Sequence, residues 1–282
     1  MSYTILAINS ALALGFYDLC KKRALNENAV WMVLFIAGLV GAVVMLPVII
    51  SGNASLTSSE HIQTAIKAVL VTSSWACTYN AIKFLPISIS SPIRATSPLF
   101  TLFLAVAIIG ERPTSLQWIS ILIILFGYFL LQLAGKKEGL NFRKNKWIFL
   151  MFLGTALGSV SSIYDKHLLQ TANLNPLAMQ AWFNVYSAAL EGVLLICFYK
   201  REQVVVKRGG VIIAVGLLLV LSDYLYFSAM SQDGALVSVV SLLRRSSVLV
   251  SFFGGLILMK EKANKTKIAA VATIIIGIGN LY

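Results

Sequence analysis

Charged residues are scarce in this sequence, and acidic residues are scarcest of all. Of the 282 residues, 12% are charged and 58% are hydrophobic. A soluble domain usually has about twice that share of charged residues. The charge is also one-sided, with 23 Lys and Arg against 11 Asp and Glu. The basic residues form short clusters between apolar runs, which indicates contact with an anionic membrane surface rather than with nucleic acid.

Residues that would build a disulfide framework, a metal site or an active site are also few. The three cysteines, Cys20, Cys77 and Cys197, have no paired spacing and predict neither disulfides nor a bound metal. The sequence has no G-x-x-x-x-G-K phosphate loop and no visible cluster of His, Asp, Glu or nucleophiles at one membrane face. We therefore expect no enzymatic activity and no cofactor. The first apolar run starts without a basic segment, so no cleaved signal peptide is expected.

What the sequence has in abundance is long apolar runs. About 20 residues suffice for a helix to cross ~30 Å of hydrocarbon. Ten segments qualify, approximately 3–20, 29–50, 63–82, 88–110, 116–134, 147–166, 176–199, 209–230, 235–259 and 267–282. No stretch is long or polar enough to form a second, soluble domain. The sequence therefore predicts an all-α membrane protein with ten transmembrane helices.

The two halves of the chain share residues at nearly constant spacing. The matches are Arg94 with Arg244, Ser97 with Ser247, Glu111 with Glu261, and Tyr17-Asp18 with Tyr164-Asp165. This pattern predicts a first repeat at 1–140 and a second at 141–282, each with five helices. Because five is an odd number, the second repeat enters the membrane from the opposite side. Such inverted repeats are found in many secondary transporters.

The positions of Lys and Arg predict the orientation in the membrane. The odd-numbered loops hold 17 of these residues, while the even-numbered loops and their flanks hold only Lys67, Arg112 and Lys166. Since cytoplasmic loops are enriched in Lys and Arg, the odd loops should be cytoplasmic and both termini extracytoplasmic. Cysteines introduced at positions 53 and 282 should then react with an impermeant thiol reagent in intact cells, and cysteines at 139 and 264 should not.

Ionisable residues inside the apolar segments are candidates for function, because a charge in hydrocarbon costs several kcal/mol. Asp223 and Arg244 lie at similar depths on segments joined by a tight turn. We expect Asp223 to lie within about 4 Å of Arg244 or Arg245, because either charge alone is too costly there. Glu191 also falls near the middle of its segment. A purely structural pair that locks two helices is the alternative interpretation.

Arg94 and Pro98 form a second candidate feature. Pro98 cannot donate to the carbonyl of Arg94 and should free it beside a cationic side chain. Arginine can bind a carboxylate or phosphate through two parallel hydrogen bonds, which lysine cannot reproduce. The alternative is that Arg94 extends to the lipid headgroups.

The predicted substrate-binding residues combine these charged groups with neighbouring hydroxyl and aromatic side chains. They are Arg94, Ser97, Trp75, Tyr79, Glu191, Asp223, Arg244, Arg245 and Tyr164. Four further carboxylates are interpreted differently. Asp18 and Asp165 end their predicted helices and should be interfacial, and Glu111 and Glu261 should have structural roles at helix ends.

Three motifs resemble the EamA-type branch of the drug/metabolite transporter superfamily. They are Tyr79-Asn80-Ala81-Ile82-Lys83-Phe84-Leu85-Pro86, Ser97-Pro98-Leu99-Phe100 and Gly110-Glu111-Arg112-Pro113-Thr114. Weaker copies occur at 244–251 and 259–262. The resemblance implies a ten-helix carrier of amino acids, sugars, nucleotide-linked metabolites or amines. The sequence departs from the family pattern in two respects: the charges favour extracytoplasmic termini, where members are commonly drawn with cytoplasmic ones, and Val248 stands where a second Pro98 would be.

These features together predict a secondary transporter for a small polar metabolite, anionic or zwitterionic, that works by alternating access. We expect a multi-pass protein of the cell membrane, of the bacterial plasma or inner membrane type. Its partners should be the small-molecule substrate and the lipid bilayer, with no nucleic acid, and it should be a monomer or homodimer. A channel or a non-transporting membrane sensor is the alternative, and a membrane-embedded enzyme is a more distant one.

Overall fold

The computed structural model describes residues 2–85, 93, 96–135, 146–198, 206–247, 249–250 and 265–280, and all regular structure in these residues is helical. The helices are α1 (Tyr3–Glu27), α2 (Val30–Ile50), α3 (Ser58–Phe84), α4 (Ser97–Leu104), α5 (Ser115–Gly135), α6 (Lys146–Lys166), α7 (Pro176–Phe198), α8 (Gly209–Met230), α9 (Val237–Arg245) and α10 (Lys265–Gly279). Two helices continue into π-helical stretches, α4 into Ala105–Ile109 and α6 into His167–Thr171. The prediction of an all-α protein is confirmed.

Several of these helices are suited to a membrane. Within the described ranges, five are long and apolar enough to cross one, namely Tyr3–Glu27, Val30–Ile50, Lys146–Thr171, Pro176–Phe198 and Gly209–Met230. Ser97–Ile109, Ser115–Gly127 and Ile268–Ile278 are shorter apolar helices. Large apolar side chains such as Phe103 and Ile196 remain exposed, at 71% and 77%. Exposed apolar surface of this kind is what lipid covers, so the chain is a multi-pass membrane protein.

The main helix contacts run between the two halves of the chain. α1 packs on α8, α3 on α6, α2 on α7 and α5 on α10. Further contacts join α2 to α8, α3 to α7, α1 to α9 and α4 to α6. Glycines allow close approach at two of these crossings: a Cβ added at Gly216 would lie 2.7 Å from the Ala37 carbonyl oxygen, and one at Gly154 would lie 2.9 Å from that of Ser74. Small residues at a helix interface permit such backbone contact.

The first helix is longer than predicted. The sequence placed its end near residue 20, but α1 continues to Glu27, so residues 21–23 lie on the helix and not in a loop. No glycine or proline interrupts this stretch, and helix formation therefore continues until Asn28. The Asn28 amide donates to the carbonyl of Ala24 at 2.9 Å and to that of Lys207 at 3.0 Å. The α1–α2 connection is thereby tied to the α7–α8 connection.

The connections between helices lie on two faces of the molecule. Residues 51–57, 110–114, 172–175 and 231–236 form what we call the turn face. Here the Trp182 indole donates to the Ala54 carbonyl at 2.7 Å, and the Gln170 amide donates to the carbonyls of Met230 and Ala235 at 2.9 and 3.0 Å. Residues 28–29 and 206–208 belong to the opposite face, which we call the basic face. The cavity described next lies between the two.

Candidate functional site

A cavity of about 190 Å³ lies between the first and second halves of the chain. Its walls come from α1, α3 and the start of α4 on one side and from α6, α7, α8 and α9 on the other. Lys67 and Asp165 line its inner end, and Lys21 and Ile82 line it near the basic-face ends of α1 and α3. The cavity therefore extends from the interior toward the basic face.

The first charged pair in the cavity joins α8 to α9. The Arg244 guanidinium donates to the Asp223 carboxylate, and the guanidinium carbon lies 4.3 Å from the centre of the Tyr226 ring. Asp223 is buried, whereas the Arg244 side chain remains 20% exposed. The predicted contact between Asp223 and one of the two arginines is confirmed. It arises because the short turn at 231–236 brings the two residues to the same depth.

The second charged pair joins α3 to α6. The Lys67 ammonium donates to the Asp165 carboxylate, and both residues are nearly inaccessible, at 1% and 3%. The Lys67 nitrogen also lies 4.8 and 4.7 Å from the ring centres of Phe183 and Phe227. Cation–π contacts of this kind stabilise a desolvated ammonium. The two pairs contribute two cations and two carboxylates to the lining of the cavity.

A third charged pair lines the cavity near the basic face. Lys21 donates to Asp18 within α1, and its nitrogen lies 4.3 Å from the centre of the Tyr17 ring. The hydroxyls of Tyr17 and Tyr79 are hydrogen-bonded to each other across α1 and α3. Formally, the charged lining residues comprise four cations, with Arg245 as the fourth, and three carboxylates.

The structure brings together most of the predicted substrate-binding residues. Those that line the cavity are Ser97, Trp75, Tyr79, Asp223, Arg244 and Arg245. Ser97 accepts a hydrogen bond at its carbonyl from the Ser159 hydroxyl at 3.2 Å, which fixes the start of α4 against α6. Arg94 lies outside the described residues, as do Val248, Glu261 and the second-half motif copy at 259–262.

Two predicted residues do not line the cavity. Glu191 is 1% exposed and lies on α7 where that helix packs against Gly38 of α2. Glu191 lies in the interior of α7, as predicted, but its side chain points to the α2 interface. The Tyr164 hydroxyl donates to the Gln63 carbonyl at 3.4 Å, and its ring stacks on His167. The sequence pattern did not predict the direction in which these two side chains point around their helices.

Three charged cavity residues were misinterpreted from the sequence. Asp165 was expected at a helix end, but the π-helical stretch extends α6 to Thr171, and Asp165 is buried inside. Asp18 was expected to be interfacial for the same reason, and the extension of α1 places it within the helix. Lys67 was counted with an extracytoplasmic flank, although it lies inside the predicted segment 63–82. A lone lysine within an apolar run was the signal that could have identified it.

The expectation for Pro98 also requires correction. The sequence placed it in the interior of one helix at 88–110, but α4 begins at Ser97 and Pro98 occupies its first turn. A missing N–H is not needed at that position. The carbonyl of Arg94, which Pro98 was expected to free, lies outside the described residues. Pro98 therefore marks the start of α4.

Comparison with known proteins agrees with the motifs. Residues 1–133 match the EamA-like transporter family, which confirms the resemblance to EamA-type transporters. Among 29 matching chains of solved structures, one described only as the crystal structure of a protein aligns with a TM-score of 0.79. That match covers 99% of this chain and 97% of the other at 16% identity, which shows a shared fold. No curated protein matches the chain.

Proposed function

We propose that this protein, an EamA-type transporter by the match of residues 1–133, moves a small polar metabolite with an anionic group across the cell membrane by alternating access. Zwitterionic metabolites are included in this class. Transport would proceed by exchange or be driven by a gradient of protons or sodium ions. The observation that supports the proposal most strongly is that Arg244, in the cavity wall, has N–H donors beyond those that its partner Asp223 uses.

Arg244 has hydrogen-bonding capacity beyond its partner Asp223. A guanidinium has five N–H donors, and one terminal nitrogen of Arg244 is used for Asp223. Its Nε is buried and has no acceptor among the described residues. The Arg244 side chain as a whole remains 20% exposed and lines the cavity, so a carboxylate or phosphate group there could accept from an exposed N–H of the guanidinium.

The carboxylates of the same wall support a zwitterion as a substrate. Asp165 and Asp223 lie at the inner end of the cavity, on α6 and α8, and each is paired with a cation from another helix. A substrate ammonium could replace one of those cations, while the Arg244 guanidinium attracts the anionic group. Complementary charges of this kind determine which ligand is accepted more than how tightly it binds.

The helix contacts support two inverted repeats. An inverted repeat relates each helix of the first half to the helix five places later, so that α1 corresponds to α6, α2 to α7 and α3 to α8. A contact between α1 and α8 should then have an equivalent between α6 and α3, and both contacts occur. The α1–α9 contact becomes α6–α4, and α2–α8 becomes α7–α3, which also occur. The α2–α7 and α5–α10 contacts convert into themselves. A ten-helix protein with five-helix repeats at 1–140 and 141–282 accounts for this pattern, and rocking of such repeats is how related architectures alternate access.

A channel or a sensor is the alternative function, and the packing favours a carrier. Between the cavity and the turn face lies a layer of fully buried apolar residues that includes Ala7, Met230 and Val240. A conducting channel needs a continuous path, whereas a carrier needs one side closed at a time. A bacterial plasma or inner membrane location and extracytoplasmic termini complete the proposal.

Ligand binding and transport by the purified protein test the proposed function. A thermal-shift screen against small carboxylates, amino acids and phosphorylated metabolites identifies a ligand, because a ligand stabilises the folded state to which it binds. The same compound should then show saturable counterflow in liposomes that contain the protein. Arg244→Gln should abolish both the thermal shift and the counterflow. Linear, non-saturable flux would indicate a channel, and chemical conversion of the compound would indicate an enzyme.

A further inference from the structure

Glu111 belongs to a loop yet points into the protein. It follows the π-helical end of α4 on the turn face and is only 5% exposed. Gly110, directly before it, has φ of 72°, the left-handed conformation that glycine adopts most easily at a helix end. This turn reverses the chain and directs the Glu111 side chain toward the second half of the protein.

The Glu111 carboxylate accepts four hydrogen bonds there. One oxygen accepts from the Lys166 ammonium at 2.7 Å and from the Val237 amide at 2.6 Å. The other accepts from the Ser238 hydroxyl at 2.6 Å and from the Ser238 amide at 3.3 Å. A residue of the first half thus caps the N-terminus of α9, where a negative charge also interacts favourably with the helix dipole.

α9 is the helix that ends in Arg244. It has nine residues, so its two ends are about 12 Å apart. Glu111 holds the end at the turn face, and Asp223 holds the end in the cavity through Arg244. The position of the arginine in the cavity therefore depends on both carboxylates.

The same contacts seal the protein on the turn face. Val237, which Glu111 caps, is fully buried in the apolar layer above the cavity, together with Ala7, Ala235 and Val240. Any path from the turn face to the cavity past α9 must separate these residues. Movement of α9 away from the first half of the chain, which carries both α1 and Glu111, would require the Glu111 carboxylate to release the Val237 and Ser238 amides.

We propose that Glu111 is a positioning residue that holds α9 in place and keeps the cavity closed on the turn face. Opening toward that face breaks its bonds to Val237, Ser238 and Lys166, and the reverse movement restores them. The role of this step in transport rests on the proposed function, whereas the closed state itself is a property of the fold. The motif Gly110-Glu111 thus supplies a turn and a cap for the opposite half of the protein.

Thiol labelling tests the inference without any substrate. Ala7 is fully buried at the turn-face end of α1, so Ala7→Cys, in a chain with Cys20, Cys77 and Cys197 replaced by serine, reports opening. In detergent, Glu111→Gln should raise the rate of maleimide labelling at position 7 about tenfold, because charge-assisted hydrogen bonds are lost from the closed state only.

The chain offers a matched control on the same face. Glu60 also caps a helix with its carboxylate, but its acceptor contacts among the described residues are local ones to Thr57, at 2.6 Å from the amide and 2.8 Å from the hydroxyl. Glu60→Gln should leave the labelling rate at the parent value. An equal rise in both variants would overturn the proposal, because it would reflect general loosening of the fold.

Further outcomes are also decisive. A parent-like labelling rate in folded Glu111→Gln, with an unchanged unfolding temperature, would overturn the proposal. If that variant does not fold, Ser238→Ala decides, since it removes one hydrogen bond and keeps the charge. A smaller rise supports the proposal, and the parent rate overturns it. Failure of the parent protein to transport any compound would count against the proposed function but would leave the labelling result valid.

Discussion

Asp223 and Arg244 form an ion pair across the turn between α8 and α9, and each lies seven residues from the helix end at that turn. At 1.5 Å per residue, both are about 10 Å below the turn face. Either charge without its partner would be costly at that depth. The pair therefore both stabilises the packing of α9 on α8 and holds Arg244 in the lining of the cavity.

The first prediction concerns this pair. Asp223→Ala should lower the free energy of unfolding by about 3 kcal/mol, the lower end of the range for a broken buried pair, because Arg244 keeps some access to water. The double change Asp223→Ala with Arg244→Met should cost less than the single change, since no uncompensated charge remains. Thermal unfolding in detergent measures both. Equal or greater loss in the double variant would contradict a paired role.

The second prediction separates two buried carboxyl groups. Asp165→Asn should reduce transport at least about tenfold, because it removes the partner of Lys67 in the cavity wall. Glu191→Gln should retain transport near the parent value, because Glu191 lies at the α2–α7 interface and not in the cavity. Initial rates of counterflow measure both variants. Similar losses in the two would indicate that burial, and not position in the cavity, determines the effect.

The third prediction uses two glycines of the same helix. Gly216→Ala on α8 should destabilise the protein by about 1–3 kcal/mol, because the new Cβ would lie 2.7 Å from the Ala37 backbone oxygen. Gly210→Ala on α8 meets no atom within 4 Å and should be neutral or slightly stabilising. Unfolding temperatures distinguish the two, and a neutral Gly216→Ala would show that α2 and α8 are more loosely packed than described.

The fourth prediction concerns Arg94, which was singled out by the sequence alone. If Arg94 binds an anionic group with two parallel hydrogen bonds, Arg94→Lys should weaken substrate affinity strongly while expression and folding stay near normal. If Arg94 instead reaches the lipid headgroups, lysine should substitute well. Transport by Arg94→Lys equal to that of the parent would decide for the second role and leave Arg244 as the principal binding residue.

The fifth prediction concerns orientation. Lys21 and Lys67 are buried in the structure and no longer count as loop residues. The number of Lys and Arg residues changes from 17 to 16 in the odd-numbered loops and from 3 to 2 in the even-numbered loops, so the predicted orientation is the same. A cysteine in place of Asn53, on the turn face, should react with an impermeant thiol reagent in intact cells. One in place of Lys207, on the basic face, should not. The reverse pattern would give the termini the cytoplasmic location that is common in the family.

Sequence reasoning predicted the helices better than the site. Long apolar runs predicted an all-helical membrane protein, and the residues that the structure describes form helices where those runs lie. Depth was also predictable, so the pairing of Asp223 with Arg244 was anticipated. The side of a helix on which a residue lies was not predictable. A membrane helix can be apolar on all sides, and its hydrophobic pattern then does not mark the side that faces the protein interior. Glu191 and Tyr164 were misplaced for this reason.

Helix ends were the other source of error. The π-helical stretch after Lys166 and the continuation of α1 to Glu27 turned two predicted helix termini into helix interiors. Neither of these two stretches contains a glycine or proline. Their polar residues were the reason to predict that each helix ended there. Asp165 and Asp18 were consequently interpreted as interfacial, although both line the cavity.

The pairing of Lys67 with Asp165 has a consequence for how the protein is made. The two residues are 98 positions apart, so α3 leaves the ribosome well before α6 exists. Until then a lysine lies in a membrane segment at a cost of about 2.5–3.5 kcal/mol near the helix centre. Since α1 and α3 also find their main packing partners in α8 and α6, we expect that residues 1–140 synthesised alone would be degraded. Coexpression with residues 141–282 should rescue them.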